Sequence, residues 1–135
     1  MKLTKQFVAD FFNNLEIGQQ DKFFSQVSPN VLWQVMGTHP LAGIYRTKQE
    51  FIEHTFTRLH KMLNGGPILK VNNIFIVEEE PVAIVEMLQL SSSIYGNPFN
   101  NTYCWIVKFQ DSMIIEVRAY LDSALVQQLI SETGG

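Results

Sequence analysis

The chain has 135 residues, a formal net charge of −3 and a pI near 5.5. Hydrophobic residues make up 46% and aromatic residues 12%, enough to bury a core and too much for a disordered chain. The Lys and Arg residues are scattered, which excludes the basic footprint that nucleic acid or an anionic membrane surface would need. The single cysteine, Cys104, excludes an internal disulfide and a multi-cysteine zinc site. It lies in the apolar run Tyr103 to Val107, where it reads as a buried, inert thiol rather than a nucleophile. The segment after Met1 is amphipathic, so no signal peptide is expected, and no apolar stretch is long enough to span a bilayer. A cytoplasmic location is the default expectation.

Leu3, Phe7, Val8, Phe11, Phe12 and Leu15 form a helical stripe with Thr4 as N-cap and Gly18 as stop. A short helix over 20–27 follows and ends at Ser28-Pro29-Asn30. Residues 31–36 read as a strand and 37–43 as an ordered loop. Thr47 and Glu50 make a capping box for a long helix whose apolar face runs through Phe51, Ile52, Thr55, Phe56, Leu59 and Leu63, and Asn64-Gly65-Gly66-Pro67 stops it. Strands are expected over 68–77, 82–92, 102–110 and 113–121, with a last helix over 123–130. The order α-α-β-α-β-β-β-β-α means one α+β domain over residues 1–135, with a run of antiparallel strands late in the chain.

Three stretches carry a family resemblance. Leu32-Trp33-Gln34-Val35-Met36-Gly37-Thr38-His39-Pro40-Leu41-Ala42-Gly43-Ile44-Tyr45 is similar to a strand and loop of the SnoaL-like proteins. Asn101 to Phe109 resembles their fourth strand, and Ile114 to Asp122 their last, ending in Arg-x-Tyr-x-Asp. The chain thus resembles the SnoaL-like, ketosteroid-isomerase-like proteins of the nuclear-transport-factor-2-like superfamily. The resemblance implies a cone-shaped, curved, mixed but mainly antiparallel sheet around a pocket closed by the N-terminal helices. It also implies a small apolar or aromatic carbonyl ligand in that pocket, homodimers and cofactor-free chemistry. The same fold hosts many activities, so the site has to be argued residue by residue.

Ketosteroid isomerization uses a carboxylate base with a tyrosine and a protonated acid at the developing oxyanion. The resemblance puts these roles at Gln34, Phe11 and Trp105, none of which supplies them. The acid of the related epoxide hydrolases falls at Ala119, and that role is empty as well. Asp122, three residues on, reads as the N-cap of the last helix. Ketosteroid isomerase activity is therefore not expected.

Two ionisable candidates remain for acid–base work. His39 lies in the loop beside the pocket mouth, where it either transfers protons or pins loop backbone. Glu86 interrupts an apolar strand. Facing the pocket it would be desolvated and able to act as acid or base; facing outward it would be a sheet-surface residue. Gln34, Tyr103 and Asn101 are the expected neutral polar ligand contacts, with Trp105, Phe11, Met36, Phe56 and Ala119 as further lining. If Gln34 faces the pocket, strand parity sends Leu32 and Met36 there too and turns Trp33 and Val35 away. His54 and His60 fall on different faces of the long helix, so no metal site is expected. The rival to an isomerase or cyclase is a non-catalytic binding module whose pocket is filled by its own rings, chiefly Trp105, Tyr103 and Phe99. A dimeric scaffold with Trp33 or Tyr120 at the subunit contact is a third reading.

Overall fold

The computed structural model describes residues 2–135. Helix α1 (Lys5–Glu16) starts where Thr4 accepts a hydrogen bond from the Phe7 N–H at 3.1 Å, and buries Val8, Phe11, Phe12 and Leu15. Helix α2 (Gln20–Ser25) turns Phe23 and Phe24 inward. Strand β1 (Val27–Val35) begins earlier than its apolar pattern suggests. Ser28-Pro29-Asn30, expected as a turn, instead falls where the register against the last strand shifts between Val27 and Leu32. A bulge tolerates the proline that a regular ladder would not.

The expected loop contains a short strand, β2 (Gly43–Tyr45), antiparallel to β1. The expected long helix is two: α3 (Lys48–His54), capped by Thr47, and α4 (Phe56–Met62). Thr55 breaks it, with φ −124° and ψ −75° and its hydroxyl donating to the Phe51 carbonyl at 2.7 Å. The hydroxyl shares the Phe51 carbonyl with the Thr55 N–H, which donates to it at 3.0 Å, a back-bonding arrangement that often bends helices. Strands β3 (Leu69–Val77), β4 (Val82–Gln89), β5 (Thr102–Gln110) and β6 (Met113–Leu121) follow, and α5 (Ser123–Thr133) ends three residues later than expected.

The sheet runs β2-β1-β6-β5-β4-β3, with β1 and β6 parallel and every other neighbour antiparallel. Register shifts in the β1–β6, β3–β4 and β5–β6 pairs curve it without closing it. The concave face carries Trp33, Val35, Val85, Met87, Trp105, Val107, Phe109, Val117 and Ala119, which pack against Phe11, Phe12, Phe23, Phe24, Phe51 and Phe56 from the helices. A smaller cluster, including Leu41, Leu59, Met62, Phe99, Val126 and Leu129, seats α5. Asp122 caps α5 by accepting from the Ala124 and Leu125 N–H groups at 2.9 and 3.3 Å. Gly37 lies where the loop after β1 crosses the start of α5. Its φ is +113°, and a Cβ there would collide with Ser123 Oγ. Among the described residues no helix is long and apolar enough to cross a membrane.

Candidate functional site

The concave face and the broken helix enclose a cavity of about 50 Å³. Its wall comes from β1 (Trp33, Val35), the following loop (His39, Leu41), α3 and α4 with the Thr55 break between them (Phe51, Thr55, Phe56, Leu59), β5 (Tyr103, Trp105), β6 (Ala119, Leu121) and α5 (Val126). The break at Thr55 matters for this arrangement: Phe51 on α3 and Phe56 on α4 both reach the wall across it. Phe51 stacks on Trp33 with centroids 3.8 Å apart and planes 13° from parallel, while Trp33 meets Trp105 edge-on at 5.2 Å and 85°. The space is about a third of the ~150 Å³ that holds a benzene ring.

The polar groups on the wall are few. His39 is 5% exposed, and its Nδ1 accepts from the Leu41 N–H at 3.1 Å. The proton therefore sits on Nε2, which donates to the Met36 carbonyl at 3.0 Å. Burial lowers the His39 pKa, opposed by the bond to Met36. With both ring nitrogens held by backbone, His39 has no free lone pair to offer a ligand, which is the loop-pinning alternative. Tyr103 is half-buried on the wall. Burial raises its hydroxyl well above the usual phenol range, with the Gln89 side chain beside it pulling weakly the other way. At neutral pH it is an O–H donor. Thr55 donates to its own helix.

Of the residues expected at the site, His39, Tyr103, Trp105, Phe56 and Ala119 meet on this wall. Gln34 and Met36 do not. The burial of β1 alternates so that Val31, Trp33 and Val35 face inward, and Gln34 lies on the convex side beside exposed Leu32. The parity argument from Gln34 is thus reversed: the bulge and the very large apolar area of Trp33 decide which face is buried. Trp33 is 0% exposed, which also removes it from any subunit contact.

Glu86 points outward as well. It accepts from Asn73 Nδ2 at 3.1 Å in an open groove of about 410 Å³ on the convex face, beside its cross-strand neighbour Cys104. Ala83, Val85 and Met87 take the inward positions of β4. Phe11 is buried in the α1 core, edge-on to Phe23 and Phe109, away from the cavity. Asn101 is fully buried but acts as a tie. Its Oδ1 accepts from the Asp122 N–H at 3.0 Å, and its Nδ2 donates to the Asp122 carbonyl at 3.2 Å. Phe99 belongs to the α5 cluster.

Of the wall residues that the motif reading missed, Trp33 and Val35 had one available signal. In Val31 to Met36 the bulkier, wholly apolar alternate set is Val31, Trp33 and Val35. Among the described residues no cluster of three or more His, Cys, Asp or Glu could hold a metal ion.

No family model matches the chain. In sequence it is 25% identical over 130 residues to the dimerizing cyclase phiC of Fungal sp. (strain ATCC 74256). That match covers 95% of this chain but 57% of the relative, so the chain spans little more than half the length of the curated relatives it matches. In structure it superposes on an NTF2-like protein of Burkholderia thailandensis with a TM-score of 0.77 at 21% identity, covering 93% of this chain and 95% of that one. A putative isomerase of Bacillus subtilis gives a TM-score of 0.75 at 12% identity, covering 93% and 91%. The chain has the nuclear-transport-factor-2-like fold that the motifs implied, but its cavity is closed by α3, α4 and α5 rather than by the N-terminal helices.

Proposed function

We propose that the chain is a small-molecule pocket protein of the cyclase or isomerase kind, holding a compact apolar group in the cavity between its concave sheet face and α3–α4. The observation that carries this reading is the wall itself: aromatic and aliphatic on nearly every side, with Tyr103, whose hydroxyl lies beside the Gln89 side chain, as its main polar-tipped residue. An apolar enclosure with few fixed polar groups suits a small organic ligand. The likeness to a cyclase in sequence and to an isomerase in fold supports the same class. No carboxylate lines the cavity, so the chain's contribution is to orient the ligand and polarise it from Tyr103, needing no cofactor. Glu86 and His39 are not assigned proton transfer in this scheme. The cavity's small volume and lack of a carboxylate favour one second reading, a binding module without catalysis.

Native mass spectrometry of the protein purified from its own host, followed by denaturing release, tests the proposal. A small apolar compound is expected to co-purify. Tyr103→Phe is expected to weaken its binding about five- to tenfold, for a lost hydrogen bond, and Glu86→Gln to leave it unchanged. Repeated preparations free of any compound, with no ligand found by screening, would sink the pocket reading. Equal loss from Glu86→Gln would move the site to the convex groove.

The proposal includes a homodimer. The convex face leaves Leu32, Phe75 and Tyr120 exposed, at 37, 50 and 43%, on a sheet that no helix covers. Sedimentation equilibrium is expected to give twice the chain mass, and a strict monomer at high concentration removes this part.

A further inference from the structure

A space of about 50 Å³ has no room for a ring-sized ligand, so such a ligand enters only when part of the wall moves aside. The wall elements differ in how firmly they are held. Phe51 and Phe56 tie α3 and α4 into the main aromatic core, and β1, β5 and β6 are interior strands of the sheet. His39 and the Tyr45 hydroxyl pin the loop at Leu41. Helix α5 is the exception. It lends Val126 to the wall but packs on the separate, smaller cluster of Leu59, Met62, Leu63 and Phe99.

The two ends of α5 are fastened differently. At its start, the Asn101 side chain bonds both the N–H and the carbonyl of Asp122. In its last turn the fastening is one carboxylate: Glu132 Oε1 accepts from Ser93 Oγ and, at 3.1 Å, from Asn97 Nδ2. Ser93 is buried, and its Oγ also accepts from the Tyr95 and Asn97 N–H groups. The same loop is anchored on α4, where the Ile94 N–H donates to the Met62 carbonyl at 2.9 Å.

We infer that α5 is the lid of the cavity, swinging out from Asp122 with the main core intact, and that the Glu132 carboxylate seated on Ser93 and Asn97 is its latch. This rests on the ligand-pocket reading above and adds the ligand's way in. Elements that open to admit ligands come from the least firmly packed part of a fold, which here is α5. Opening uncovers Val126, Leu129 and the cluster beneath them, so the lid favours a ligand larger than one ring, with apolar surface to replace those contacts.

Cysteines placed on one face of β6, in a Cys104→Ser background, test the lid. Ala119 lies on the cavity wall and Val117 in the main core off that wall, and both are buried. Opening of α5 uncovers the first alone, whereas complete unfolding uncovers both. Iodoacetamide labelling of Ala119→Cys is therefore expected to be fast and nearly independent of low urea, and that of Val117→Cys slow and steeply dependent on it. Glu132→Ala is expected to speed labelling of the Ala119→Cys thiol about tenfold, for the lost charge-assisted bonds. Glu132→Gln, which keeps an acceptor oxygen, should restore most of the slower rate. Should a cysteine variant fail to fold, hydrogen exchange of the unaltered chain decides: the α5 amides from Val126 to Gly134 should share one shallow urea dependence, unlike β6. A steep dependence common to both thiols, or to α5 and β6, overturns the lid, as does fast exchange confined to the last turn of α5. A labelling rate at Ala119→Cys indifferent to Glu132→Ala overturns the latch. No ligand enters these measurements, so their failure leaves the pocket reading standing, while the absence of any co-purifying compound overturns that reading without altering them.

Discussion

Replacing Phe51 with alanine is expected to cost about 3–5 kcal/mol of stability and to open a cavity that takes up benzene. Phe51 is 2% exposed and lies flat on Trp33 at 3.8 Å, with Tyr45 edge-on to it at 5.8 Å. Truncation removes the transfer free energy of a ring, forfeits the stacking contact and leaves a void that a β-sheet wall cannot collapse to fill. In a domain of this size the loss corresponds to roughly 10–20 °C in Tm. The void would merge with the existing space of about 50 Å³, reaching the size range in which an apolar cavity holds benzene. Calorimetry with and without saturating benzene is the measurement. The Phe51→Ala protein should melt higher with benzene and the unaltered protein should not. A variant indifferent to benzene would mean that α3 collapses onto Trp33, and a cost under about 1 kcal/mol would mean that the stack is not tight.

This prediction depends on a face that the sequence read incorrectly. Element types were legible almost throughout because their signals are local: the Thr4 and Thr47 caps, the Gly-Gly-Pro stop and the alternation of 102–110 each act within a few residues. The Asp122 cap was also readable, since an acid just before an apolar helical run has few other uses. Which side of β1 and β4 is buried was not legible. Both strands carry apolar residues on both faces (Leu32 and Met36 oppose Trp33 and Val35; Ile84 and Leu88 oppose Val85 and Met87), so parity has no clean polar set to follow. The site therefore came out mixed. Residues on β5 and β6, anchored by an unambiguous alternation, lie on the wall, whereas Gln34 and Glu86 lie on the other side of the same sheet. The helix break at Thr55 was hidden for a different reason. A threonine on an apolar stripe fits a continuous helix by periodicity, and only its hydroxyl bond to Phe51 reveals the bend.

Stability is expected to fall as pH drops below about 6.5, the reference value for histidine, and much of that fall should vanish in His39→Ala. Burial holds the folded-state pKa of His39 below its unfolded value, so the unfolded chain takes up the proton first. The stability contributed by the neutral ring is complete above the unfolded pKa. It is lost progressively as pH falls from there through the lowered folded pKa. The hydrogen bonds show what protonation breaks: Nδ1 accepts from the Leu41 N–H, and a protonated nitrogen cannot accept. The substitution itself should cost about 2–4 kcal/mol at pH 7.5, because Met36 O and Leu41 N lose their partner and a buried ring is removed. Urea unfolding at pH 7.5 and 5.5 measures both effects, with exposed His54 and His60, each replaced by Gln, as controls. A pH slope that survives in His39→Ala and disappears in a control would assign the titration elsewhere. If His39 instead served as a free base for a bound ligand, its removal would abolish turnover at little cost in stability. Two backbone bonds on one ring argue for the opposite: a large loss of stability, with the loop from Gly37 to Ala42 loosened at the cavity's rim.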